Sequence, residues 1–108
     1  ENKINHRKTI KDLVTCSLKT SPEGIIAALA GMKNRSDKQD VLRKTSIPVF
    51  WILGKKDPVI DYKIIKPLTV LSPMITPLTL ENSGHMGMFE EAEAVIDGME
   101  KWLKIFLH

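Results

Sequence analysis

The sequence predicts an α/β protein in which parallel strands carry helices packed on both faces. From residue 21 onward, two apolar strand-like segments alternate with segments of helical periodicity. Strands that alternate with helices are typical of parallel sheets with right-handed crossovers. Apolar residues make up 43% and charged residues 27% of the 108 residues, which indicates a folded chain.

Two helices are expected before the first strand. Apolar positions in the first twenty residues follow a roughly helical spacing. The second helix has clearer limits, with Ser21 as its cap, Pro22 at its first position and Asn34 near its end. A short helix or turn over residues 37–45 then leads into the sheet.

Residues 47–53 form a continuous apolar run that ends at Gly54. Such a run is typical of a strand buried on both faces, as in parallel sheets. Residues 59–72 are expected to form a loop and a short helix that Pro67 weakens. Residues 75–80 read as a second strand, which Pro77 places near a sheet edge.

The strongest helical pattern begins at Glu90 and continues to Leu107. Acidic side chains at its start and lysines near its end match the helix dipole. These residues are Glu90, Glu91, Glu93, Lys101 and Lys104.

Asp57 and His85 each follow the carboxyl end of a predicted strand. Parallel strands bring their carboxyl ends to one edge of the sheet, where reactive groups gather in open α/β folds. A carboxylate on one imidazole nitrogen fixes the tautomer, so that the other nitrogen can act as a base. Gly84 is expected to allow an unusual turn that presents His85. Ordinary turn chemistry is the alternative explanation for both residues.

Residues 48–58 (PVFWILGKKDP) and 80–90 (LENSGHMGMFE) resemble the acid loop and the histidine loop of α/β-hydrolases, in the same order and spacing. The resemblance implies the C-terminal portion of an α/β-hydrolase fold. Residues 1–45 would be the cap return and helices, and residues 46–108 the strand-helix-strand-helix core. It also implies a serine esterase-like enzyme for a small-molecule ester-like substrate, with Asp57 as the orienting acid and His85 as the base.

The family's nucleophile lies on a G-x-S-x-G elbow, and no serine of this chain has that surrounding sequence. The resemblance therefore predicts a fragment of about the last third of an enzyme, inactive alone. Asp61, in the same loop, is an alternative acid, although a surface position is favoured. Lyases, haloperoxidases and dehalogenases share the scaffold, so the reaction stays open.

Other classes of function find little support. The net charge is only +3 and aromatic residues are 6%, which disfavours nucleic-acid binding. The histidines lack metal-ligand spacing, so neither a metal nor a cofactor is expected. No apolar run is long enough to span a membrane, and no signal peptide is expected. The single cysteine, Cys16, favours a cytoplasmic location.

An isolated C-terminal portion would leave an apolar strand edge open. Open edges invite pairing with another chain, so a homo-oligomer is expected. The alternative function is therefore a non-catalytic, oligomeric binding domain derived from the hydrolase fold. Near His85, Met86, Met88 and Phe89 could line an acyl pocket, but core packing is favoured.

Overall fold

The computed structural model describes residues 6–106, in which helices and strands alternate as predicted. Residues 1–5 and 107–108 belong to the predicted domain and lie outside the described residues. They include Leu107, the last apolar position of the predicted final helix. The elements are α1 (Arg7–Ser17), α2 (Pro22–Lys33), α3 (Gln39–Lys44), β1 (Val49–Gly54), α4 (Tyr62–Ile65), a 3₁₀ helix (Lys66–Val70), β2 (Ile75–Leu80), α5 (Gly87–Glu90) and α6 (Ala92–Phe106).

The chain forms two compact units, of which the first ends at Asp37 and the second begins at Lys38. The predicted boundary between residues 45 and 46 falls inside the second unit. The assignment of residues 1–45 to a cap return stays a prediction.

The first unit contains α1 and α2, neither of which has a buried residue. The predicted cap of α2 is confirmed, because the Ser21 hydroxyl oxygen accepts the N–H of Gly24 at 3.1 Å. Asn34 is the C-terminal cap, also as predicted. The apolar stripe of α2 is open to solvent: Ile26, for example, is 66% exposed.

The second unit is built on a parallel pair of strands, as the sequence predicted. β1 and β2 run in register from Val49 opposite Ile75 to Gly54 opposite Leu80. Because side chains alternate along a strand, even-numbered positions of both strands face one side of the sheet and odd-numbered positions the other.

Helices cover both faces of this pair, which confirms the predicted α/β layering. On the even face, the ring of Phe50 stacks on Trp102 of α6 with centroids 5.5 Å apart. On the odd face, the Tyr62 hydroxyl of α4 lies 3.2 Å from the hydroxyl oxygen of Thr79. Two helices on opposite faces therefore hold the strand ends in place.

The buried core is small, and the prediction that β1 is buried on both faces is wrong. Leu53 is the one buried residue of β1, and Ile47, expected in the strand, is 70% exposed and precedes it. β2 covers one edge of β1, while the described helices cover only part of each face. The buried apolar side chains are Leu53, Ile75, Leu80 and Val95.

Two helix boundaries differ from the prediction. The helix expected in residues 59–72 changes from α to 3₁₀ geometry after Ile65, since Pro67 lacks the N–H that an α-helix needs. The final helix begins at Ala92 rather than Glu90. Glu91, with φ −134° and ψ 55°, breaks the path between α5 and α6.

Pro77 lies within β2, opposite Trp51. Among the described residues the sheet has two strands, so both lie at an edge, and the edge position expected from Pro77 stays a prediction. Over residues 6–106, no helix has both the length and the apolar character that crossing a membrane requires.

Candidate active site

Two loops meet where β1 and β2 end: the acid loop, residues 55–61, and the histidine loop, residues 81–86. Backbone pairing continues into both, because the N–H of Lys55 donates to the carbonyl of Leu80 and that of Lys56 to the carbonyl of Ser83, each at 2.9 Å. The Lys55 ammonium also donates to a Glu81 carboxylate oxygen at 2.6 Å. The two loops are thus fixed to each other along their first residues.

Gly54 permits this close approach of the loops. A Cβ at this position would overlap the carbonyl oxygen of Gly84 and lie 2.8 Å from that of Ser83. The sequence prediction gave the special turn to Gly84, and that is wrong, since no glycine among residues 6–106 has a positive φ. The position where the site has no room for a side chain is Gly54, at the end of β1.

Asp57 and His85, the predicted catalytic pair, are brought together at this edge. Nδ1 of His85 lies 2.9 Å from Oδ2 of Asp57. The other oxygen of Asp57 accepts the N–H groups of Val59 at 2.8 Å and Ile60 at 3.0 Å. The Asp57 side chain is 10% exposed and that of His85 is 46% exposed. The carboxylate is therefore held on both oxygens, while the imidazole faces outward.

The surroundings of Asp57 keep it ionised. Burial raises the pKa of its carboxyl, but the N–H of Ile60, the His85 imidazole and the N–H of Val59 together outweigh burial and lower the pKa below its ordinary value. A carboxylate that stays charged can hold the imidazole in one tautomer, with the proton on Nδ1. The second nitrogen, Nε2, is then left to exchange protons.

A cavity of about 270 Å³ lies beside the pair. Asp57 and His85 contribute its polar groups, and most of the remaining wall is apolar. The apolar side chains in the wall are Trp51, Ile52, Leu53, Ile60, Ile65 and Met88. Such a cavity, apolar with a few converging polar groups, suits a small organic ligand.

The methionines and Phe89 do not pack in a core, contrary to the favoured prediction. Met86 is 36%, Met88 54% and Phe89 44% exposed. They lie on or beside the short helix α5 at the sheet edge, which the described residues leave uncovered. Of the three, Met88 lines the cavity next to His85.

The alternative acid and the nearby serine have other roles. Asp61 caps α4, its Oδ1 accepting the N–H of Lys63 at 2.8 Å. Ser83 is fully buried and donates its hydroxyl to a Glu91 oxygen at 2.5 Å. Neither side chain is placed against the ring of His85 by these contacts.

Sequence reasoning missed the role of Glu90 and Glu91. Rather than opening the last helix, both carboxylates turn back to the histidine loop and accept hydrogen bonds from it. Acidic residues before a helix ordinarily indicate a dipole interaction, so the sequence held no signal for this contact. Among residues 6–106, no three His, Cys, Asp or Glu side chains are grouped to hold a metal ion.

Comparisons with known proteins find esterases that resemble this chain. No family model matches the chain. It is 28% identical over 87 residues to the pimeloyl-[acyl-carrier protein] methyl ester esterase of Vibrio cholerae, a match that covers 81% of this chain and 34% of that protein. Its fold matches a thermophilic esterase from Thermogutta terrifontis, solved with malate bound, at a TM-score of 0.86 and 26% identity, over 95% of this chain and 38% of that one.

The parallel strands and these matches show the fold of α/β-hydrolases with esterase relatives. The chain is similar to these esterases in sequence and fold, which confirms the predicted resemblance to α/β-hydrolases. It spans 34% of the length of the first of these proteins and 38% of the second.

Proposed function

We propose that this chain supplies the acid and the base of an ester hydrolase, Asp57 and His85, for a small-molecule ester-like substrate. The observation that carries the proposal is the 2.9 Å contact between Nδ1 of His85 and Oδ2 of Asp57 at the carboxyl ends of two parallel strands. The esterase activity of both similar proteins supports the choice of bond.

The reaction starts with a serine hydroxyl that lies outside these 108 residues. Nε2 of His85 takes the proton of that hydroxyl while its oxygen attacks the ester carbonyl. Asp57 stabilises the resulting imidazolium, which then gives its proton to the departing alkoxide. Water, activated by the same nitrogen, cleaves the acyl-enzyme and releases the acid.

The chain alone is inactive under this proposal. None of its serines lies in a G-x-S-x-G elbow, and that elbow supplies the attacking oxygen. The family's oxyanion hole is built from donors around the elbow, and removing a single such donor costs about 10²–10³ in rate. Asp57 and His85 therefore need the elbow-bearing part of a hydrolase beside them.

A chimera tests this proposal directly. The matched C-terminal portion of the Thermogutta terrifontis esterase is replaced by this chain, and hydrolysis of p-nitrophenyl acetate is measured. We expect the chimera to be active, the isolated chain to be inactive and the His85→Gln chimera to lose activity.

Glutamine keeps the size and polarity of the side chain but cannot accept and return a proton at neutral pH. A folded chimera in which His85→Gln retains full activity would refute the assignment of His85 as the base. Sequencing the DNA upstream of the codon for Glu1 gives a separate test, since an in-frame G-x-S-x-G motif would supply the predicted nucleophile.

The exposed edge of β1 favours a second proposal, self-association of a non-catalytic binding domain. Among the described residues, β1 pairs only with β2. The N–H groups of Val49 and Lys55 point to β2, so by alternation those of Phe50 and Ile52 point to the open edge. A second copy of the chain can pair along this edge.

Sedimentation velocity of the purified chain distinguishes the two proposals. A stable dimer that dissociates when Ile52 is replaced by proline, which introduces a steric block at the edge, supports self-association. A monomer at all concentrations favours the hydrolase proposal, in which this edge belongs to the sheet of the whole enzyme.

We further infer a cytoplasmic location, because Cys16 is a free and exposed thiol. Such thiols persist in a reducing compartment. Cell fractionation with an antibody to the chain tests this inference.

A further inference from the structure

We propose that Glu90 and Glu91 are positioning residues that fix the histidine loop and so aim His85 at Asp57. This inference rests on the proposed role of His85 as the base. Both glutamates lie between the histidine loop and α6, and both side chains are half-buried.

Glu90 holds the backbone on either side of His85. A single carboxylate oxygen, Oε1, accepts the N–H of Gly84 at 3.0 Å and that of Met86 at 3.2 Å. The backbone N–H of Glu90 also donates to the carbonyl of Met86 at 3.1 Å. The peptide that carries His85 is thus clamped at its two neighbours.

Glu91 holds the preceding two residues of the same loop. Its Oε2 accepts the N–H of Asn82 at 3.0 Å and the hydroxyl of Ser83 at 2.5 Å. Ser83, whose carbonyl accepts the N–H of Lys56, is tied to the acid loop as well. Glu91 therefore links the position of the histidine loop to the loop that carries Asp57.

The backbone between α5 and α6 directs these carboxylates. In a continuous helix from Glu90, both side chains would lie along the helix surface. The break at Glu91 instead lets consecutive side chains reach the same loop. Two carboxylates accept four bonds from residues 82–86, and charged acceptors make stronger hydrogen bonds than neutral ones.

Nuclear magnetic resonance of the whole chain tests the inference without substrate. Hydrogen exchange reports each clamped amide, and the nitrogen-15 shifts of His85 report which ring nitrogen carries the proton. In the wild type we expect protected amides at Gly84 and Met86 and the Nδ1–H tautomer at His85.

Glu90→Ala should raise exchange at Gly84 and Met86 by about tenfold or more, the size of effect that losing one such hydrogen bond gives. It should leave Asn82 protected and reduce the Nδ1–H tautomer. Glu91→Ala should raise exchange at Asn82 instead of at Gly84 and Met86, and it should also reduce the Nδ1–H tautomer of His85. Glu90→Gln keeps an acceptor oxygen and should restore both signals in part.

Glu93→Ala is the matched control, since Glu93 is exposed in the first turn of α6. Should Glu90→Ala fail to fold, Glu90→Asp replaces it, because a shorter side chain keeps the charge but cannot reach both amides. An Nδ1–H population equal to the wild type in a folded Glu90 variant overturns the positioning role. An Nε2–H tautomer in the wild type overturns the proposed function instead, which separates the two failures.

Discussion

The first two helices and the edge where the strands end differ in the contacts that hold them. The helices α1 and α2 contain no buried residue, and their hydrogen bonds join neighbours along the chain. At the carboxyl ends of β1 and β2, by contrast, residues 28 apart in sequence are in contact, as in the pair of His85 and Asp57. Only the second region has a geometry that long-range contacts determine.

This difference shows where the candidate chemistry can be tested within the chain itself. The site depends on contacts between its two loops, so substitutions there should have large and specific effects. Substitutions in α2 should follow the rules for an exposed helix.

Asp57→Asn in the active chimera should lower kcat by about 10³–10⁴-fold, since an amide does not stabilise the imidazolium and favours the wrong tautomer. Asp61→Asn is the control from the same loop, because asparagine caps a helix as well as aspartate does. Its kcat should not change. Equal losses in both variants would mean that the acid loop serves folding, and that Asp57 has no special part in the chemistry.

Gly54→Ala should destabilise the second unit by about 1–3 kcal/mol, the usual cost of forcing a methyl group into a packed site. The added Cβ meets backbone carbonyl oxygens of Gly84 and Ser83, which a side-chain rotation cannot relieve. Urea unfolding followed by Trp fluorescence measures the loss, because both tryptophans lie in this unit. An unchanged midpoint would show that the histidine loop can move away from β1.

The sequence predicted what local patterns determine. Ser21 and Pro22 predicted the start of α2, the apolar run ending at Gly54 predicted β1, and residues 75–80 predicted β2. The contact between Asp57 and His85 followed from the rule that parallel strands end at one edge. These features depend on a few neighbouring residues or on topology alone.

Tertiary contacts that do not follow from the strand topology were not predictable. Glu90 and Glu91 had the sequence pattern of a helix start, and only the turned-back backbone reveals their bonds to the histidine loop. The need for glycine fell on Gly54 rather than Gly84 because of an approach between loops far apart in sequence. The prediction that β1 is buried on both faces was wrong, because the apolar character of a strand does not determine how many elements cover it.

Acidification should reveal the charge on Asp57. The folded pKa of Asp57 is below its ordinary value of about 3.9, so its ionised form stabilises the fold above that pH. This stability is lost as the pH falls through the lower folded pKa. Urea unfolding at pH 6 and pH 2.5 should therefore show a smaller loss for Asp57→Asn than for the wild type. Identical losses would place the acid sensitivity elsewhere.

The smallest effect should come from Gly31→Ala in α2. A Cβ at Gly31 meets nothing within 4 Å, and glycine in a helix interior costs about 0.5–1 kcal/mol relative to alanine. The substitution should therefore stabilise α2 by this amount, measured as slower hydrogen exchange of the α2 amides. Gly98→Ala in α6 is the matched control, because there the Cβ would lie 2.8 Å from Cδ2 of Leu78. If Gly31→Ala destabilised α2 while Gly98→Ala did not destabilise α6, the contrast between an open helix and a packed one would be reversed.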